Sequence, residues 1–309
     1  MPVHPQIAGF LSTLPPSDAT APDVAAWRHQ GESHLPPLDE RPPVHRVEDV
    51  TASTSIGAVP VRIYTPTESD SFGVLVYMHG GAFFSGSLET HDVIARSIAN
   101  ASGYKVVSVG YRLAPEHAYP AGLDDCYAVV RWVADSALSA NAGLKWDGKR
   151  LAVAGDSSGA TFATVVAARA LDEGFDAITK QVLLYPSVDL DFDVERYASL
   201  RENATGKGLE TIALKPHNSF YIASGASAAD PAVSPIKRAN LAGLPEALVI
   251  TAEYDPLRDE GEAYAARLTE AGVSTTLHRY EGATHGFIQY FGWLPEYAPV
   301  FDEIAGFLN

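Results

Sequence analysis

The stretch LAVAGDSSGATFATVVAARAL, residues 151–171, decides the fold. Leu151 to Ala154 form a short apolar run, as in a strand buried on both faces. From Ala160 onward the chain is Ala-rich and free of Gly and Pro, as in a helix. Between them, Gly155-Asp156-Ser157-Ser158-Gly159 must reverse the chain in one tight turn. A strand, a Gly-x-Ser-x-Gly turn and a helix in direct succession are the setting of a nucleophile elbow. Side chains at Gly155 and Gly159 would collide with the neighbouring strand and helix. The turn lifts the Ser157 hydroxyl to the end of the sheet, beside a helix N-terminus whose dipole favours negative charge. The competing reading of Ser157 is a helix N-cap after a glycine turn.

The same alternation extends in both directions. Val59 to Tyr64 (VPVRIY) alternates like a strand, and Val74 to Met78 (VLVYM) is a continuous apolar run. Val106 to Val109 follows a helical segment, His91 to Ser102, and a long helix is expected near Gly122 to Asp135. Downstream, Gln181 to Tyr185, Ala247 to Thr251 and Ser274 to Tyr280 read as strands. Asp259 to Ala271 and a segment from about Glu296 read as helices. Strands alternating with helices predict an α/β fold with a mostly parallel central sheet, covered by helices on both faces.

Two segments fall outside this pattern. Residues 1–45 are Pro-rich and irregular, with short helical stretches around Ile7 to Leu14 and Ala21 to His29. They read as an arm contributing to a cap. Between Tyr185 and Ala247 the connection is too long for a simple crossover. Residues 189–235 within it read as a helical cap insertion, at the end of the sheet where ligands bind. The α/β domain then comprises residues 46–188 and 236–309.

Composition narrows the function. The chain has 309 residues, 46% hydrophobic and 19% charged, which suffices for one large globular domain. A formal net charge of −16 repels nucleic acid and anionic lipid; it reads first as a solvated acidic surface with no role in substrate choice, and as the alternative it favours neutral over anionic substrates. The single cysteine, Cys126, cannot form a disulfide within the chain and reads as a packed residue on a helix face. The N-terminus lacks a basic start and a long apolar run, and no stretch is apolar enough to span a membrane. The expected location is the cytoplasm.

Acyl transfer needs donors for a developing oxyanion, a base and an orienting acid. His79-Gly80-Gly81-Ala82-Phe83 directly follows the run VLVYM, where a Gly-rich loop supplies backbone amides. The expected oxyanion donors are the amides of Gly80, Gly81 and Ser158. No Lys-Ser or Lys-Thr follows at P-loop spacing, so a phosphate cradle is excluded. His79 comes too early in chain order to be the base, and an internal hydrogen bond in the loop is expected for it. The order Ser, acid, His places the acid at Asp255, beyond the strand ALVIT, and the base at His285, beyond the last strand. Asp259 and Glu253 are rivals for the acid, Asp259 standing where a helix begins. His278 lies within a strand and reads as structural.

Together HGGAFFSG, YRLAPEHAYPAGLDD, GDSSGA, EYDPLRDEG and HGF, in this order over residues 74–287, resemble the hormone-sensitive-lipase family of bacterial esterases. The resemblance implies an α/β-hydrolase core with a helical cap made from the N-terminal arm and the insertion. It implies hydrolysis of short- to medium-chain acyl esters, a small-molecule ester substrate, no cofactor and, by analogy alone, a homodimer. This chain departs from the family pattern at Ala82, where a third glycine is usual, and at Ser158 and Ala160 within the GDSAGG run. Arg112, Glu116 and Asp124 look like a buried polar network bracing the site.

Other readings use the same residues. Lactone, amide or carbamate hydrolysis would run on the same machinery. A ligand-binding receptor on this scaffold would usually have lost its nucleophile or base, and both are present here. Asp189, Asp191 and Asp193 imitate the start of a calcium loop, but Val194 stands where glycine is required and no closing Glu follows, so no metal is expected. Phe83, Phe84, Tyr221 and Phe287 are candidates for an acyl or alcohol pocket, with core packing as the alternative.

Overall fold

The computed structural model describes residues 2–309 except 15–16, 34, 136 and 139–141. The first two strands, β1 (Arg46–Thr54) and β2 (Gly57–Thr65), form an antiparallel hairpin. Then come β3 (Phe72–Met78), β4 (Lys105–Val109), β5 (Trp146–Asp156), β6 (Ile178–Leu184), β7 (Glu246–Tyr254) and β8 (Thr275–Thr284). All eight join one sheet in the order β1-β2-β4-β3-β5-β6-β7-β8. Every pairing from β4 to β8 is parallel, while β2 meets β4 antiparallel.

Alternation along the central strands separates two apolar layers. In β3, Val74, Val76 and Met78 enter one core while Leu75 and Tyr77 enter the other. The arm carries helices α1 (Pro5–Leu11) and α2 (Val24–Ser33). Helix α3 (Asp92–Ser102) covers the Leu75 side through Ile94, Ala95 and Ile98. The opposite side is covered by α4 (Ala121–Ala134) and α5 (Ser158–Asp172). Cys126 lies fully buried on α4. Residues 189–235 carry only two short helices, α6 (Ser199–Glu202) and α7 (Thr211–Ser219), joined by turns. Beyond β7, α8 (Arg258–Glu270) packs on the α5 side. Next come α9 (Phe287–Phe291) and α10 (Pro299–Leu308), the latter packing with α3.

β1 does not stand out in the sequence. Its nine residues, RVEDVTAST, bury only Ala52 fully. It is an edge strand, and its register is marked by a charged pair: Asp49 lies opposite Arg62 and receives two guanidinium hydrogen bonds, at 2.7 and 3.0 Å.

Asp92, the first residue of α3, is the charged hub on this side of the sheet and is fully buried. It accepts from Arg41 at 2.9 Å, Arg96 at 2.6 Å and the Tyr64 hydroxyl at 2.8 Å. One carboxylate thereby ties the end of the arm, β2 and α3 together. Burial pushes its pKa up, but the hydrogen bonds from Arg41, Arg96 and Tyr64 outweigh burial and hold it below the usual 3.8. A carboxyl depressed in the folded state contributes stability above pH 3.8, and loses it as pH falls through the folded value. We expect Asp92→Asn to cost about 3 kcal/mol in urea unfolding at pH 7, because it strands buried guanidinium groups. The difference from wild type should shrink as the pH is lowered below about 3.8, read from the same urea curves.

Candidate active site

Ser157 sits between the last residue of β5 and the first of α5, with φ 53° and ψ −121°. A non-glycine residue pays strain in this region, and such strain persists only where the surroundings over-determine it. Here they do. A Cβ on Gly159 would lie 2.0 Å from the Met78 carbonyl oxygen, and one on Gly155 would lie 2.3 Å from the Gly159 backbone. The first turn of α5 is therefore pressed against the ends of β3 and β5, and the Ser157 side chain is turned out of the packed layer. The Ser157 amide donates to Leu184 O at 2.9 Å, which fixes the turn to β6.

His285 follows β8 and precedes α9. Its Nε2 lies 3.0 Å from Ser157 Oγ, and its Nδ1 lies 2.7 Å from Asp255 Oδ2. Asp255, just beyond β7, is 1% exposed, and its other oxygen accepts from the Leu257 amide at 2.8 Å. The rivals are engaged elsewhere. Asp259 accepts from the Ser199 amide and pairs with Arg258, each at 2.8 Å. Glu253 accepts from the Gly282 amide at 2.7 Å, and the half-exposed His278 meets Glu303 at 2.8 Å.

The loop after β3 departs from expectation at one position. The Gly80 amide donates to Asp156 Oδ1 at 2.8 Å, beneath the loop, so it has no hydrogen left to offer a ligand. Gly80 is therefore removed from the expected set of oxyanion donors. Among the described hydrogen bonds, the amides of Gly81, Ala82 and Ser158 have no acceptor. Gly81 and Ala82 have positive φ, 122° and 49°. An amide donor leaves no side-chain signature, which is why Ala82 was not read from the sequence. The Ser158 hydroxyl accepts from the Phe83 amide at 3.3 Å, a tie from elbow to loop that alanine could not make.

His79 has the internal role expected of it. It is buried, its Nδ1 lies 2.8 Å from Gly80 O, and its ring stacks on Tyr111 at 4.1 Å. Burial pulls its pKa down to about 3, with the neighbouring His91 adding to the effect.

The supposed Arg112–Glu116–Asp124 network is not one network and is not buried. Successive residues on a helix face about 100° apart, and it is Asp125 that turns inward, gripping Arg112 at 2.8–3.1 Å. Asp124 instead meets Arg169 at 2.7 Å. Glu116 is half exposed and meets Arg28 of the arm through two bonds, at 2.9 and 2.8 Å. Arg28 also donates to Phe84 O and Ala114 O, so the arm grips the loop after β3. Asp189 and Asp191 are occupied by Arg196 and Lys237. Phe83 is buried and stacks on Tyr221 at 3.9 Å, and Phe287 packs inside the core against Tyr280 and Tyr297.

Comparison with known proteins gives one answer. A family model described as the alpha/beta hydrolase fold matches residues 75–289. The carboxylesterase NlhH of Mycobacterium tuberculosis is 37% identical over 293 residues, covering 93% of this chain and 89% of the relative. An ethyl acetate hydrolase of Pseudomonas putida is 36% identical over 248 residues, covering 79% and 76%. The solved structure of a hyperthermophilic esterase from the archaeon Pyrobaculum calidifontis superposes with a TM-score of 0.90 at 40% identity, covering 100% of this chain and 98% of that one. The elbow at Ser157, the mostly parallel sheet and these relatives agree, and the chain belongs to the α/β-hydrolase fold family, in its hormone-sensitive-lipase-like branch.

Proposed function

We propose that the protein is a serine carboxylesterase in which Ser157 is the nucleophile, His285 the base and Asp255 the orienting acid. The observation that carries this is the unbroken chain Ser157–His285–Asp255 at 3.0 and 2.7 Å. With Nδ1–H directed at Asp255, Nε2 is left to take the Ser157 proton as the hydroxyl attacks the acyl carbon. The amides of Gly81, Ala82 and Ser158 receive the oxyanion. His285 then protonates the leaving alcohol, and water releases the acyl group by the same steps. Carboxylester hydrolysis is the reaction named for the relatives, and the ethyl acetate hydrolase among them supports a short acyl group. Residues 1–45 and 189–235 act in this reading as the cap over the α/β domain, supported by the grip of Arg28 on the loop after β3.

A cytoplasmic location and a homodimer complete the proposal; the homodimer is supported by the edge strand β8, whose Leu277 is 44% exposed and whose outer backbone faces no strand among the described residues.

Hydrolysis of p-nitrophenyl esters should fall as the acyl chain lengthens past the medium range, and a steady rise toward long-chain emulsions would contradict the assignment. Ser157→Ala should lower kcat on the order of 10⁴-fold or more while remaining folded. Equal activity in both proteins would remove Ser157 from its role.

Burial holds the His79 pKa down to about 3, and this has a measurable consequence. Histidine buried neutral binds fewer protons than in the unfolded chain, so it stabilises the fold above about pH 6.5 and loses this as pH falls toward 3. Histidine NMR titration should find the His79 ring neutral from pH 8 down to pH 5.

A further inference from the structure

We infer that helix α6 of the inserted segment positions the acid of the relay, with Asn203 as its main positioning residue. The inference rests on the reading of Ser157, His285 and Asp255 given above. Asp255 lies in the loop between β7 and α8, where its carbonyl accepts from the Arg258 amide at 3.2 Å and the Glu253 carbonyl accepts from the Arg258 guanidinium at 3.1 Å. The residues of α6 and the one that follows it add a hold from outside the loop. Asn203 is 3% exposed, and its side-chain nitrogen donates to Asp255 O at 3.1 Å and to Glu253 O at 3.3 Å. Two carbonyl acceptors on the same side require an amide nitrogen with two hydrogens; an aspartate could donate to neither.

Ser199, fully buried at the other end of α6, completes the grip. Its hydroxyl donates to Pro256 O at 2.7 Å and accepts from the Asp259 amide at 3.1 Å, while its own amide donates to Asp259 Oδ2 at 2.8 Å. Four residues in and around the acid loop, Glu253 at the end of β7, Asp255, Pro256 and Asp259 at the head of α8, are thus held from one short helix and the residue that follows it. Hydrogen bonds to the backbone on both sides of Asp255 set where its carboxylate stands relative to His285.

The same insertion reaches the other half of the machinery. Thr211 of α7 donates to Leu200 O of α6 at 2.6 Å. Past α7, the Tyr221 ring stacks on Phe83, whose amide reaches Ser158 Oγ. Residues 189–235 therefore touch the acid loop at one end and the oxyanion loop at the other, and act as a brace as well as a cover.

The test compares wild type with Asn203→Ala, Ser199→Ala and Ser157→Ala on p-nitrophenyl acetate, counting competent sites with a stoichiometric phosphonate. Proton NMR follows the far-downfield signal of His285 Nδ1–H, which reports its bond to Asp255. Asn203→Ala should lower kcat per competent site on the order of tenfold, since small misplacements of a catalytic group cost this much or more. KM should stay within about twofold, because ground-state binding is untouched, and the downfield signal should weaken or move. Ser199→Ala should shift the same quantities the same way by less, and it decides the matter should Asn203→Ala fail to fold. Wild-type kcat and an unmoved signal in the folded variants, with Ser157→Ala inactive, overturn the positioning role alone. Full activity of Ser157→Ala overturns the reading of the site and this inference with it.

Discussion

Everything at the site depends on how closely α5 approaches the end of β3. With 2.0 Å between a would-be Gly159 Cβ and the Met78 carbonyl, only glycine permits the contact. That contact sets two things at once. It forces Ser157 into the left-handed region, which aims its hydroxyl away from the core. It also brings the Ser158 amide, at the head of α5, beside the loop that leaves β3. A nucleophile and amide donors from distant parts of the sequence become neighbours because two backbones touch. Asp156 locks the arrangement from below: one buried oxygen takes the Gly80 amide and the Tyr77 hydroxyl together. The amide given up at Gly80 keeps the next two, Gly81 and Ala82, in place.

The sheet, the elbow and the Ser157–His285–Asp255 set were legible because each leaves a mark in residue type. Continuous apolar runs marked buried parallel strands, glycines marked the close approach, a loop place against a helix start separated Asp255 from Asp259, and chain order separated His285 from His79. What was not legible depended on information that residue type does not carry. β1 is an edge strand with little to bury, so its alternation is weak. Gly80 and Ala82 differ in function only by where their amides point. Asp124 and Asp125 are chemically identical neighbours, and only the phase of α4 decides that Asp125 is buried against Arg112 while Asp124 meets Arg169. Asn203 gave no signal either, since its partners are backbone carbonyls of residues fifty positions away.

Charge is used sparingly inside and freely outside. Several buried ionic groups come with partners that offset desolvation, as at Asp92 with three arginines or at Asp125 with Arg112. Glu260 differs. It accepts the Val188 and Asp189 amides through one oxygen and buries the other with no hydrogen-bond partner among the described residues. Burial, and the nearby Asp189, push its pKa well above the usual carboxylate range. Its hydrogen bonds hold the start of the inserted segment to α8.

The two ends of the reaction are thus held in different ways. The oxyanion side is fixed by close packing of sheet and helix, with glycine contacts that permit no other arrangement. The acid side is a buried loop at the end of β7, near the edge of the sheet, held by hydrogen bonds from α6 and Asn203 and from Arg258 at the head of α8. Packing tolerates little displacement, because interiors are dense and resist small shifts. A loop held by a few hydrogen bonds from an inserted helix can move with that helix. On the positioning role proposed for α6, the place of Asp255 responds to how the insertion sits on the sheet more than the place of Ser157 does.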